Sequence, residues 1–158
     1  MKDLKAEVIK IIKSNMWMII STVDEKNHPH SSVVVYQSDG EVLIFQTGMN
    51  TIKAKAIRQN NTVSVTIPFR KNFLHKLIPA PPAEIHFSGK AEILPYNDLQ
   101  ARKIFSRFLK YSEDVEYPQD SIWVKIIPSN IISTYGVGVK LLDMRNPDKA
   151  MNLVNLHD

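Results

Sequence analysis

The chain changes texture several times along its length. Over residues 3–14, Leu4, Val8, Ile11 and Ile12 recur at i, i+4, i+7 and i+8, with most of the lysines between them. That spacing predicts an amphipathic helix, opened by Asp3. From Met16 the apolar positions close up. MWMIISTV, HSSVVVY and EVLIFQT are β-rich runs separated by the turn-forming DEKNHP and QSDG. They predict three antiparallel strands with short connections. VVV and VLIF are almost continuously apolar, so these strands are expected to be covered on both faces. One face would line a barrel core and the other would meet a ligand or a second subunit.

GMNTIKAKAIRQNN reads as a helix. Gly48 permits a sharp turn, Asn50 is the expected N-cap, Ile52, Ala54, Ala56 and Ile57 supply an apolar face, and Asn60-Asn61 ends it. TVSVTI alternates cleanly and is expected to stop at Pro68. AEIHFSGKAEIL is a long strand with Ile85, Phe87, Ala91 and Ile93 in one phase and His86 on the other face. Gly89 shares the apolar phase and marks a bulge or barrel corner. NDLQARKIFSRFLKY predicts a helix striped by Ile104, Phe105, Phe108 and Leu109 and capped by Asn97 or Asp98. SIWVKII and IISTYGVGV add strands, and the tail from Lys140 is polar and helix-ambiguous. Strands and helices do not alternate regularly, which argues against a doubly wound parallel sheet. The expected class is mainly β with inserted helices, a small antiparallel barrel of about six strands.

A length of 158 residues suits one domain. The chain has no Cys, which excludes disulfides, thiolate metal sites and a cysteine nucleophile. No apolar run approaches the ~18–20 residues that span a bilayer. The N-terminus interleaves charge with Val and Ile instead of forming the apolar core of a signal peptide, so a soluble, cytoplasmic protein is expected. The net charge of +4 is compatible with a phosphorylated small ligand. The strands carry few cations, which counts against a nucleic-acid-binding barrel.

The chemistry concentrates between Phe45 and Lys53, F-Q-T-G-M-N-T-I-K. A strand ends in polar residues, turns at Gly48 and opens a helix. Helix openings leave backbone N–H groups unpaired and carry a partial positive charge, so they attract anions. Thr47 and Thr51 add hydroxyls and Lys53 adds a full charge. The segment can be a phosphate cradle or simply a solvated first turn, and alone it does not decide. Neither G-x-x-x-x-G-K-[ST] nor G-x-G-x-x-G occurs. His28 and His30 flank Pro29, with only Asp24 or Glu25 nearby as further ligands, and no metal site is expected there. Residues 69–82 bring Arg70, Lys71 and Lys76 with no acid beside Pro79, Pro81 and Pro82. They form either a cationic wall for a binding groove or a loop packing its Phe residues. Trp123 and Tyr135 are core aromatics or platforms for a ring system.

The order STVDEKNHPHSSVVVY, DGEVLIFQTG, NTIKAKAIRQNNTVSVTI resembles the pyridoxamine 5′-phosphate oxidase-like family of flavin-binding split β-barrels. The resemblance rests on Asn27-His28-Pro29-His30, Asp39-Gly40, Thr47, Thr51-x-Lys53, Asn61-Thr62-Val63-Ser64-Val65 and Phe87-Ser88-Gly89-Lys90-Ala91-Glu92, across about residues 1–135. It implies a six-stranded antiparallel split barrel over 1–138, with a tail, 139–158, expected to dock on a partner subunit. It also implies a homodimer with the flavin between subunits. The phosphate would lie against Thr51 and Lys53, with Gln46 and Thr47 near the ribityl chain and Ser31, Ser32, Val33 and Val34 beside the ring. The implied function is an FMN-dependent oxidoreductase serving NAD(P)H or another small substrate, with the chemistry on the cofactor and no catalytic side chain assigned. A deazaflavin coenzyme in the same groove and a non-catalytic flavin or haem carrier are the alternatives. The sequence departs from the family at Ile52, where many relatives carry Arg, so either one phosphate contact is lost or Lys55 supplies it from the next turn. It also lacks clear matches for the pyridoxal-phosphate-binding residues, so vitamin B6 oxidation is not the first reading.

Overall fold

A computed structural model describes residues 3–70, 82–109 and 120–156. The chain opens with α1 (Leu4–Ser14), whose N-cap Asp3 accepts a hydrogen bond from the Ala6 amide. The strands β1 (Trp17–Val23), β2 (Pro29–Val35), β3 (Gln37–Ser38) and β4 (Leu43–Gly48) follow. Then come α2 (Ile52–Gln59), β5 (Thr62–Phe69) and β6 (Ala83–Pro95). The helix predicted over 97–111 is two short pieces, α3 (Leu99–Ile104), capped by Asp98, and α4 (Ser106–Leu109). β7 (Ser121–Pro128), β8 (Ile131–Tyr135), α5 (Pro147–Ala150) and β9 (Met151–Asn155) complete the described chain. No helix among the described residues is long and apolar enough to cross a membrane.

The strands form one antiparallel sheet in the order β2-β1-β5-β6-β7-β4-β3, with β8 on β6 and β9 on β8. It curls into the split barrel expected from the sequence. Met18, Ile20, Phe45, Val65, Phe87 and Val124 fill its interior, and Val8 and Ile12 of α1 join that core. Tyr36 Oη donates to the Ile12 carbonyl at 2.8 Å, and burial pushes its phenol above the ordinary value. A second cluster lies outside the barrel wall, where Ala101 and Phe105 cover Ile44 and Trp123.

β6 has two neighbours along one edge. Glu84–His86 pair with β8, and Gly89–Pro95 pair with β7. Gly89 sits at the changeover. A Cβ there would stand 2.7 Å from the Ile127 carbonyl oxygen, so only glycine lets β7 approach.

Two expectations are corrected. β5 runs through Pro68 to Phe69. The last pair with β1 is Ile19 with Thr66, so beyond it β5 is an edge strand on that side and a missing N–H is tolerated. The polar tail holds a 3-10 turn (Asp143–Arg145) and one turn of helix, and then becomes a strand. It does so because β8 offers an open edge, and every residue of β9 pairs with it. Apart from Phe69, Arg70 and Pro82, the cationic stretch 69–82 lies outside the described residues, as does 110–119.

Thr22 is buried on the inner face of β1, and its Oγ1 has no hydrogen-bond partner. Replacing it with the isosteric valine removes an unpaired polar atom. Thr22→Val is expected to stabilise the fold by roughly 1 kcal/mol, read as a higher denaturation midpoint. A fall in the midpoint would mean that the hydroxyl is satisfied in solution.

A phosphate-sized cradle beside an open strand edge

β4 delivers Gln46, Thr47 and Gly48 to the mouth of the barrel, where the chain turns into α2. The turn is held from both sides. The Met49 amide donates to the Asp120 carbonyl at 2.8 Å, and Arg58 Nη1 donates to the Met49 carbonyl at 2.7 Å. The N-cap is Thr51 and not Asn50. Its backbone is extended, and its Oγ1 accepts from the Ala54 amide at 3.4 Å. The same hydroxyl lies 2.9 Å from the Gly48 carbonyl and 3.2 Å from Thr47 Oγ1. Lys53 folds back so that Nζ reaches Thr47 Oγ1 at 3.5 Å. Among the described residues, the Ile52 and Lys53 amides find no acceptor. Two hydroxyls, two free amides and one ammonium therefore meet at one helix opening, the donor set a phosphate monoester requires.

The other expected site residues divide by strand phase. Gln46 is in the opposite phase of β4 from Thr47 and is paired in register with Trp123. On β2, Val34 packs towards the barrel core, and Ser32 shares its phase. Ser31 and Val33 face outward, with Ser31 Oγ 2.8 Å from Ser21 Oγ. β2 pairs only with β1 among the described residues, and its other edge approaches β4 and α2 without pairing. The split of the barrel is therefore a groove with the cradle at one end and the free N–H and C=O groups of β2 along its side. Ile52 is 63% exposed, and Lys55 makes none of the cradle's hydrogen bonds. Trp123 is fully buried, stacked on Tyr96 and tilted against Phe105, so it is a core residue and not a ligand platform.

The turn between β1 and β2 is organised by a residue that motif reasoning undervalued. Asp24 Oδ1 accepts from the Lys26 and His28 amides, both at 2.9 Å. Its Oδ2 lies 3.2 Å from His30 Nε2 and 3.5 Å from His28 Nδ1. The available signal was an aspartate followed by Asn27, which takes the left-handed φ of 62°. The hydrogen bond from the His28 amide is the main reason that the Asp24 carboxyl is lowered from 3.8 to about 2. A depressed carboxyl stabilises the fold above its unfolded value, and the contribution disappears as pH falls through the folded one. The melting-temperature difference between the parent and Asp24→Asn should thus be present at neutral pH and close between about pH 4 and pH 2. A difference unchanged over that window would remove Asp24 from this role. Among the described residues, no three His, Asp or Glu side chains are grouped to hold a metal ion.

Among the described residues, a cavity of about 800 Å³ lies beside α1 at Glu7 and Arg70, and another of about 520 Å³ lies between Ile9, Val42 and Ile127. Neither includes Thr47, Thr51 or Lys53.

The family model described as pyridoxamine 5′-phosphate oxidase matches residues 4–135. The chain belongs to the pyridoxamine 5′-phosphate oxidase family. The family region contains the cradle and β2 and ends with β8, so β9 lies beyond it. A pyridoxine/pyridoxamine 5′-phosphate oxidase from Photorhabdus laumondii is 29% identical over 126 residues, covering 67% of this chain and 58% of that protein. The chain thus spans under two thirds of that relative's length. An FAD-binding protein from Mesorhizobium loti superposes with a TM-score of 0.63 at 18% identity, over 82% of this chain and 92% of that one. HutZ, the haem storage protein from Vibrio cholerae, superposes with a TM-score of 0.66 at 15% identity, over 82% and 92% of the two chains. At these identities the likeness speaks for the shared split-barrel fold of the pyridoxamine 5′-phosphate oxidase family.

Proposed function

We propose that this protein is an FMN-dependent oxidoreductase of the pyridoxamine 5′-phosphate oxidase family, acting as a homodimer with its flavin in the groove between β2 and the cradle. The observation that carries the reading is the meeting of Thr47, Thr51 and Lys53 at the start of α2, beside the open edge of β2. Thr47, Thr51, the free amides and Lys53 hold the phosphate. Gln46 reaches the sugar-alcohol chain from the outer phase of β4. The β2 backbone hydrogen-bonds the polar edge of the ring, and Val33 covers its apolar side. The bound flavin supplies hydride chemistry, so the chain's task is to position it and exclude water. NADH, NADPH or another small reductant is the expected partner.

Mass spectrometry of the ligand released from purified protein tests the cofactor, and bleaching of its visible band by NADH or NADPH tests the enzyme. FMN with bleaching supports the proposal. A released deazaflavin coenzyme moves the same groove to that cofactor. A flavin indifferent to both reductants, or haem, makes the protein a carrier.

A further inference from the structure

The two ends of α2 are tied together by one side chain. Arg58 belongs to the last turn of the helix and is exposed. Its guanidinium folds back to the helix start, where Nη1 donates to the Met49 carbonyl at 2.7 Å. Helical side chains lean towards the N-terminus, which lets a long residue make this reach. Among the described residues no carboxylate lies within ion-pair distance of Arg58. Its charge is therefore spent on this carbonyl, in a charge-assisted hydrogen bond.

The carbonyl it holds sits at the middle of a β-turn. Gly48 to Thr51 form that turn, closed by the Thr51 amide on the Gly48 carbonyl at 3.2 Å. Met49 and Asn50 are its central residues, and the peptide between them is the one whose flip separates type I from type II. Type II requires a positive φ at Asn50, a conformation that asparagine tolerates better than most residues. The residue types thus permit both turns. Among the described residues Asn27 is the only non-glycine with positive φ, so the Met49–Asn50 peptide is in the unflipped form. Across a trans peptide the carbonyl and the following N–H point opposite ways. Holding the Met49 carbonyl aims the Asn50 N–H away from Arg58, and that N–H finds no acceptor among the described residues.

We propose that Arg58 is a positioning residue for the cradle. By fixing the Met49–Asn50 peptide, it presents the Asn50 amide to the phosphate as a third backbone donor, beside those of Ile52 and Lys53. The flipped turn would put a carbonyl oxygen in that place, and the oxygen would repel an anion. This rests on the phosphate reading of the cradle and adds to it a residue that never touches the ligand.

The test titrates FMN, and riboflavin as the analogue without phosphate, against the full-length parent, Arg58→Ala and Arg58→Lys. The amide resonance of Asn50 is followed in 15N-labelled protein. The parent should prefer FMN to riboflavin by roughly tenfold or more, the worth of a charge-assisted phosphate contact. Arg58→Ala should lose roughly tenfold in FMN affinity and nothing in riboflavin affinity, and Arg58→Lys should recover part of the loss. The Asn50 amide proton should move downfield with FMN in the parent and stay in place in Arg58→Ala. Equal losses for the two ligands would make Arg58 a general support of the fold and overturn the proposal. So would an Asn50 amide that ignores FMN in the parent. A parent that prefers FMN while Arg58→Ala binds it undiminished sinks Arg58 alone and leaves the cradle standing. A parent that binds FMN no better than riboflavin sinks the phosphate reading, and the role of Arg58 with it.

Discussion

Lys53→Ala should weaken FMN binding by roughly ten- to a hundredfold, because a hydrogen bond to a charged group contributes about 1.5–3 kcal/mol. The fold should be indifferent to the change. Lys53 is half-buried at the barrel mouth, among the described residues its side chain hydrogen-bonds only Thr47, at 3.5 Å, and α2 is capped by Thr51. Thr51→Ala should behave differently. Its hydroxyl caps the helix as well as facing the cradle, so losing it should lower affinity and also cost about 1 kcal/mol of stability. Fluorescence titration with FMN, paired with thermal melts, separates the two effects. Undiminished binding by Lys53→Ala would remove the phosphate from the start of α2.

Trp123→Ala is expected to cost about 3–5 kcal/mol of stability, the largest effect of any single change considered. The indole is fully buried, with Tyr96 stacked at 5.6 Å and Phe105 tilted at 5.1 Å. Its Nε1 donates to the Tyr96 carbonyl at 2.8 Å, so truncation removes that hydrogen bond as well as opening a cavity. Trp123→Phe should recover part of the loss by keeping the ring contacts without the N–H. The consequence reaches the site, since Trp123 is the register partner of Gln46, one residue before Thr47. Denaturant unfolding gives the stability, and FMN affinity measured well below the midpoint gives the coupling. A loss under about 1 kcal/mol would mean that the helical cover of this wall contributes little.

The sequence made legible what depends on local periodicity. The apolar spacing of α1, the alternation of β5 and the long phase of β6 follow from residues within one element, and all three elements are present. Boundaries were less legible because neighbouring residues compete for the same role. Asn50 and Thr51 are both good caps, and the turn that Met49 and Asp120 fix selects Thr51. Pro68 and β9 escaped for a tertiary reason. A proline is tolerated where a strand loses one neighbour, and a short polar segment becomes a strand only when an edge awaits it. The cradle was readable as residue types, but the chain alone did not say that Thr47, Thr51 and Lys53 would converge. Nor did it say that Gln46 would sit in the opposite phase of the same strand.

The pairing of β4 with β7, and the leaning of α1 on β9, carry a consequence for synthesis. α1 leaves the ribosome well before β9, yet it finds part of its seat only when β9 has emerged. Until then Val8 and Ile12 lack their full apolar surroundings, and the growing chain exposes that apolar surface until β9 is made. Co-translational folding of this domain is therefore a waiting arrangement, completed only once β9 has emerged, and shielding of α1 in the nascent chain matters more than its early ordering.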